Sequence, residues 1–306
     1  LAQGSMGLGE SYMDGWWECE DLAEFFFKIQ NRKVMEAVLG NKKIFFKLIL
    51  GNWKLIMQLL LSKLFNMQTK VRSKQVAKEH YDIGNDLYSL MLDETMAYTC
   101  AYWDNAKTLQ EAQENKYDLI CRKLKLKKGM RVLDIGCGWG GFAKFAAEKY
   151  GVNVVGVTIS KEQVNLAKIK CEGLPVEIRL QDYRDVREKF DVVLSIGIME
   201  HVGYKNFRTY MKVANKCLRD GGISLIHTIG RNTTSTTVDP WIEKYVFPNG
   251  MLPSLMQISK SMENLFVIED LHSLGWSYDK TLLAWDSNFV KNWHKLESAK
   301  YNKRFY

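Results

Sequence analysis

A chain of 306 residues is long enough for one large domain with a smaller one beside it, and for a sizeable buried core. Its composition, 46% hydrophobic and 25% charged with four prolines, excludes a repeat or low-complexity protein. The net charge of +8 is confined to one stretch: Phe25 to Lys78 holds twelve basic residues and a single acid, Glu36, while the rest has 31 basic against 34 acidic residues.

That basic stretch is also apolar. From Ile44 to Phe65 the polar positions Lys43, Lys47, Gly51, Lys54, Gln58 and Ser62 recur every three or four residues, which places them on one stripe of a helix. Lys47, Lys54 and Lys63 interrupt the run too often for a membrane span. A basic amphipathic helix on an anionic lipid surface fits, and so does a core helix with a solvated lysine face. A nucleic-acid track does not need apolar bulk this dense, so no nucleic-acid partner is expected.

Beyond Lys78 helices and strands alternate. A helix is expected over Thr108–Leu124, then a strand Arg131–Ile135 running into Gly136-Cys-Gly-Trp-Gly-Gly141 and an Ala-rich helix to Tyr150. Strands follow at Val152–Val157, Val176–Leu180, Phe190–Ile196 and Ile223–Ile229, with a helix from Lys161. The pattern predicts an α/β, doubly wound, Rossmann-like parallel sheet carrying a small, mainly helical N-terminal domain. The expected domain limits are residues 1–72 and 73–306. Ligands of such sheets lie outside the carboxyl ends of the strands.

Gly136, Cys137 and Gly138 occupy a strand-to-helix turn where a bare backbone approaches its ligand. A dinucleotide fold would place an acid at the end of the second strand, but Val157-Thr158 stands there. Asp134, on the first strand, instead suits a cationic, phosphate-free ligand, so S-adenosylmethionine is favoured over NAD. Thr158 and Ser160 line the loop that starts the next helix, with either Glu162 or Gln163 for the ribose. Asp182, next to Tyr183 after the third strand, is placed to meet an adenine amine.

The six cysteines (Cys19, Cys100, Cys121, Cys137, Cys171 and Cys217) never take a metal-ligand spacing, and no secretory signal opens the chain. A reduced, cytoplasmic compartment without structural zinc is expected. The start at Leu1 reads as a fragment end.

Several further segments carry a resemblance. They are His80-Tyr-Asp-Ile-Gly-Asn-Asp86, Ala97-Tyr-Thr-Cys-Ala-Tyr-Trp103, Val155-Gly-Val-Thr-Ile-Ser-Lys-Glu-Gln163, Met199-Glu-His-Val-Gly203 and Leu225-Ile-His-Thr-Ile-Gly230. To these add Asp239-Pro-Trp-Ile-Glu-Lys-Tyr245, Tyr278-Asp-Lys-Thr-Leu282 and, near the start, Gly9-Glu-Ser-Tyr-Met-Asp-Gly-Trp-Trp17. Together they resemble the cyclopropane-fatty-acyl-phospholipid synthases and their mycolic-acid relatives over nearly the whole chain.

The resemblance implies that the methyl of S-adenosylmethionine is attacked by a cis double bond of an unsaturated phospholipid, and that a base then takes a proton from the new methyl as the ring closes. It implies bicarbonate as that base, held by the backbones of Cys100 and Ile229 and by Glu200, His227 and Tyr278. It adds Tyr98 and Thr99 to the cofactor contacts. Tyr98, Tyr102, Tyr245, Phe247 and Tyr278 are expected to shield the cation. A homodimer, peripheral on the inner face of the cytoplasmic membrane and touching anionic lipid through residues 25–78, is also implied. Family members continue past the equivalent of Tyr306 with a helix and a final strand, so the chain is expected to stop early. A methyltransferase yielding a branched or hydroxylated chain is the alternative.

Overall fold

The computed structural model describes residues 4–29, 85–296 and 300–306. The Ile44–Phe65 helix, most of the basic segment and His80 lie outside the described residues. The chain divides into two units. One comprises Leu1–Asn66, Thr236–Pro248 and Glu297–Tyr306; the other comprises Met67–Ser235 and Asn249–Leu296.

The larger unit is built on five parallel strands: β1 (Arg131–Ile135), β2 (Asn153–Thr158), β3 (Val176–Leu180), β4 (Phe190–Ile196) and β5 (Leu218–His227), in the order β3-β2-β1-β4-β5. Side chains alternate between faces along a strand, and the core follows that parity. Leu133, Ile135, Val155, Val157 and Val193 pack on Phe207, Tyr210, Met211 and Ala214 of the helix Phe207–Cys217. Val132, Val154, Val192 and Leu194 turn the other way, onto Ile120, Cys121 and Leu124 of the helix Leu109–Lys123 and Phe142, Ala143 and Ala146 of the helix Gly141–Tyr150. Both faces are covered, which is why the strands read as continuous apolar runs.

Helix ends follow local chemistry. Thr108 and Glu111 form a reciprocal capping box, so Thr108 stands just outside the helix that begins at Leu109. Ser160 accepts from Gln163 N and starts the helix Lys161–Lys170. The fifth strand differs from the sequence expectation. It begins at Leu218 and ends at His227, with an irregularity opposite Phe190 and Val192. Gly221 takes φ +74°, and the Gly221-Gly222 pair bends the strand without ending it. Thr228 and Ile229 are therefore left beyond the sheet.

In the smaller unit the helix Gly4–Met13 lies against the helix Pro240–Tyr245. A Cβ on Gly9 would stand 2.3 Å from the Trp241 ring, so only glycine permits this approach. Glu10 accepts from Lys244 Nζ at 2.5 Å and from the Tyr245 hydroxyl at 2.8 Å, and Arg304 bonds Asp14 at 2.9 Å. These pairs are partly solvated and contribute little each. Among the described residues no helix is long and apolar enough to cross a membrane.

Candidate active site

The carboxyl end of β1 opens into the turn 136–140. Gly136, Gly138 and Gly140 all take positive φ, at +76°, +54° and +81°. A Cβ on Gly136 would strike Ile198 at 2.0 Å, whereas one on Gly138 would meet nothing within 4 Å, so the turn is tight beneath and open above. Gly136 N and Cys137 N both donate to Val157 O, at 2.8 and 3.2 Å, fastening the turn to β2. Gly156 has no side chain because Cys137 fills that space, 2.9 Å from a would-be Cβ. Cys137 is buried and its thiol is pushed up by burial, so it packs as a neutral group.

Asp134, on β1 and 2% exposed, has its carboxyl pushed up to about 7 by burial. A cationic ligand would reverse that shift, which makes this carboxyl a fit partner for a sulfonium. Thr158 donates its hydroxyl to Gln163 Oε1 at 2.7 Å, and both side chains are buried; Glu162 is exposed. Of the two ribose candidates, Gln163 is thus the one turned inward. Asp182 is engaged by a residue the sequence reading passed over. Arg184 donates to Oδ1 through its backbone N (2.9 Å) and Nε (2.8 Å), and to Oδ2 through Nη2 (2.6 Å). Tyr183 packs its ring 5.6 Å from Tyr210.

The other half of the site lies beyond β4 and β5. Gly197 follows β4, and the short helix Met199–Val202 then buries Glu200. Glu200 Oε1 accepts from Ile229 N at 2.7 Å, the bond made possible by Ile229 lying past the end of β5. Burial raises the Glu200 carboxyl, and the Ile229 amide opposes it. His227, the last residue of β5, is pushed down to about 3, first by burial and then by the charge of Lys116, so the ring is neutral. Glu200 Oε2 and His227 Nδ1 are buried polar atoms with no hydrogen-bond partner among the described residues. Orphans of this kind cost roughly 1–3 kcal/mol each, a cost that a water or a polar ligand bound there would offset.

Cys100 is buried, with its thiol pushed up to about 11 and donating to Ala101 O at 3.3 Å. Tyr278 has its hydroxyl held well above the ordinary range by burial and then by Tyr98, Glu200 and Cys100. These residues therefore share one neighbourhood.

The family described as mycolic acid cyclopropane synthetase matches residues 68–306. The cyclopropane-fatty-acyl-phospholipid synthase of Escherichia coli (strain K12) is 52% identical over 305 residues, which is 100% of this chain and 77% of that protein. The crystal structure of the mycolic acid cyclopropane synthase CmaA1 complexed with SAH and CTAB has a TM-score of 0.67 and 33% identity, covering 72% of this chain and 85% of that one. The cyclopropane synthase MmaA2 from Mycobacterium tuberculosis has a TM-score of 0.69 and 30% identity, over 76% and 87% of the two chains. The chain belongs to this cyclopropane synthase family. It is an S-adenosylmethionine-dependent methyltransferase.

Three features of this cyclopropane-synthase site went unread in the sequence. Trp285 has its ring 5.1 Å from Tyr98 and 6.1 Å from Tyr278, and its buried Nε1 is the third orphan polar atom among the described residues. A signal existed: Trp285 follows Tyr278 by seven residues, two turns along the helix Gly275–Asn292 and on the same face. The second feature is the Arg184 clasp on Asp182. The third is the buried pair Gln113 and Lys116 behind Thr99. Of the expected aromatic shields, Tyr102 bonds Asp104 and meets the His272 ring, while Tyr245, held by Glu10, and Phe247 belong to the smaller unit. The backbone N of Ile229 serves Glu200, and its carbonyl accepts from the Thr228 hydroxyl at 3.3 Å.

Proposed function

We propose that the chain is a cyclopropane fatty acid synthase that methylates the cis double bond of unsaturated phospholipid acyl chains and closes the ring. The observation that carries this reading is the pair of orphan atoms, Glu200 Oε2 and His227 Nδ1, buried beside an aromatic group and the strand-end cradle. A simple methyltransferase acting on a heteroatom needs only the cradle and an entry for its substrate. A polar pocket for a small ion beside the methyl donor is what ring closure adds.

S-adenosylmethionine, when bound, supplies the methyl, and a bound bicarbonate would supply the base. The residues present fit both: an open, glycine-made turn with a buried carboxyl for the sulfonium, and two unmet polar atoms for the ion. With both bound, the sulfonium would give its methyl to the π electrons of the alkene, leaving positive charge on the acyl chain, and the ion would accept the methyl proton released as that carbon–hydrogen pair closes the ring. That proton is very acidic, so positioning matters more than basicity. Tyr98, Tyr278 and Trp285 pack against one another and would offer π faces to the cation and keep out water that would trap it as an alcohol. Neutral His227 can orient an ion without taking the proton itself.

The phospholipid substrate makes the enzyme a peripheral visitor to anionic membrane surfaces, with residues 25–78 as the contact and a homodimer as the assembly. The deciding experiment is mass spectrometry of unsaturated phospholipid vesicles incubated with the protein and methyl-labelled S-adenosylmethionine. A labelled chain heavier by one CH₂, with the double bond gone and resistant to ozonolysis, supports the proposal. A labelled branched or hydroxylated chain would retain cofactor and substrate and overturn ring closure; no label in lipid would overturn the whole reading.

A further inference from the structure

The helix Leu109–Lys123 buries two polar side chains one turn apart, Gln113 and Lys116, both essentially inaccessible to solvent. Gln113 Nε2 donates to the carbonyls of Ala97 at 3.2 Å and Thr99 at 3.0 Å. Its Oε1 accepts from Lys116 Nζ at 2.5 Å, and the same ammonium donates to Thr99 Oγ1 at 2.7 Å. Thr99 in turn lodges its methyl where Gly197 has no side chain; a Cβ there would come within 2.6 Å. On its other side the segment is tied by Thr281 Oγ1, which accepts from Ala101 N at 3.1 Å and Trp103 Nε1 at 2.9 Å. Segment 97–101, bearing Tyr98, Thr99 and Cys100, is thus clamped between two helices.

Neutral groups could clamp a loop equally well. Burying an ammonium costs several kcal/mol, so its charge calls for a reason. The groups that face Lys116 are the half-buried Asp93 carboxyl, the Cys100 thiol, the His227 imidazole and the Tyr117 ring, whose centroid is 4.8 Å away. Cys100 and His227 both belong to the neighbourhood of the orphan atoms. Glu200 brings a carboxyl to that pocket, and neutral His227 brings no compensating charge. A small anion placed beside His227 and Cys100 would feel the positive potential of Lys116, which reaches both.

We propose that Lys116 is a positioning residue: its ammonium clamps segment 97–101 and supplies the positive potential that holds a small oxyanion beside Glu200 and His227. This rests on the bicarbonate reading above. Burial brings Lys116 down to about 7, with Asp93 and Cys100 opposing. Below that pH the ammonium is present; above it the charge is lost. A bound anion favours the charged form, so anion affinity weakens as pH rises beyond 7.

The test uses the whole chain in carbon-dioxide-depleted buffer, with bicarbonate added at fixed concentrations between pH 7 and 9. In the unaltered protein the KM for bicarbonate should rise with pH. Lys116→Met should raise that KM roughly tenfold or more at pH 7 and flatten its pH dependence, with a smaller, pH-independent rise in the Kd for S-adenosylmethionine from the loosened Tyr98–Thr99 segment. A second readout needs no turnover: ε-¹³C-lysine NMR should show one lysine titrating near 7, shifted upward by bicarbonate and absent from Lys116→Met. Should that variant not fold, the NMR titration of the unaltered protein decides, and a resonance indifferent to bicarbonate overturns the proposal. Turnover that needs bicarbonate, with an unchanged KM and pH profile in Lys116→Met, overturns the role of Lys116 alone. Turnover indifferent to bicarbonate overturns the base reading and this proposal with it.

Discussion

The two halves of the strand-end site are made from opposite materials. On the β1–β2 side the structure works by omission: Gly136, Gly138 and Gly156 stand where a Cβ would collide or close an opening. On the β4–β5 side it works by burial of side chains whose hydrogen bonds are incomplete, Glu200 and His227. The first half is governed by sterics and backbone conformation, so damage there should appear in cofactor affinity. The second is governed by desolvation and charge, so damage there should appear in turnover and its pH dependence. Under the proposed function, the carboxyl end of one sheet would separate the place that holds the cofactor from the place that handles the proton.

The sharpest way to break that separation is Glu200→Gln. Turnover should fall by about 10²–10⁴-fold, with S-adenosylmethionine affinity by calorimetry nearly unchanged. An equal loss of both would merge the halves. Gly136→Ala should do the reverse: positive φ and the Ile198 contact together cost about 1–3 kcal/mol, so cofactor affinity should drop roughly tenfold or more. Turnover at saturating cofactor should stay close to normal.

Asp134 offers a finer test. Its carboxyl, pushed up to about 7 in the free protein, stays protonated below that pH and ionises above it. A cationic ligand binds the ionised form, so affinity for S-adenosylmethionine should climb as pH rises toward 7 and then level. Folding linkage has the opposite sign. The raised carboxyl favours the free fold at low pH, and that contribution is lost as pH rises through about 7. Asp134→Asn should abolish the climb and weaken binding roughly tenfold above pH 7. The smallest effect is expected for Trp285→Phe, which keeps a ring and removes the orphan N–H. A change of a few-fold in the KM for lipid or cofactor is expected, against a larger loss for Trp285→Ala.

The sequence made these halves unequally legible. The glycine turn, Asp134 and the strands up to β4 are local features, set by φ requirements and by apolar runs buried on both faces, and they sit where periodicity places them. Glu200, His227 and Tyr278 came only through resemblance, since nothing near them in sequence reveals that burial gathers them. Lys116 was invisible for a related reason. A lysine on a helix with a solvated face reads as solvent-exposed, and only the contact with Thr99, seventeen residues earlier, turns it inward. Arg184 lay two residues from Asp182, but no pattern rule distinguishes a clasp from a surface arginine.

The irregular start of β5 has its own consequence for how this chain can vary. Between the pairings Phe190↔Leu218 and Val192↔Ile223, β4 advances two residues while β5 advances five. The surplus is taken up at Arg219–Gly222, where three of the four residues are exposed. Insertions or deletions there can be absorbed before the ladder resumes, leaving His227 opposite Ile196. A length change between Ile223 and His227 has no such buffer. It would exchange His227 with an isoleucine or a threonine and turn the imidazole to the other face of the sheet. The same strand therefore tolerates length drift at one end and forbids it at the other.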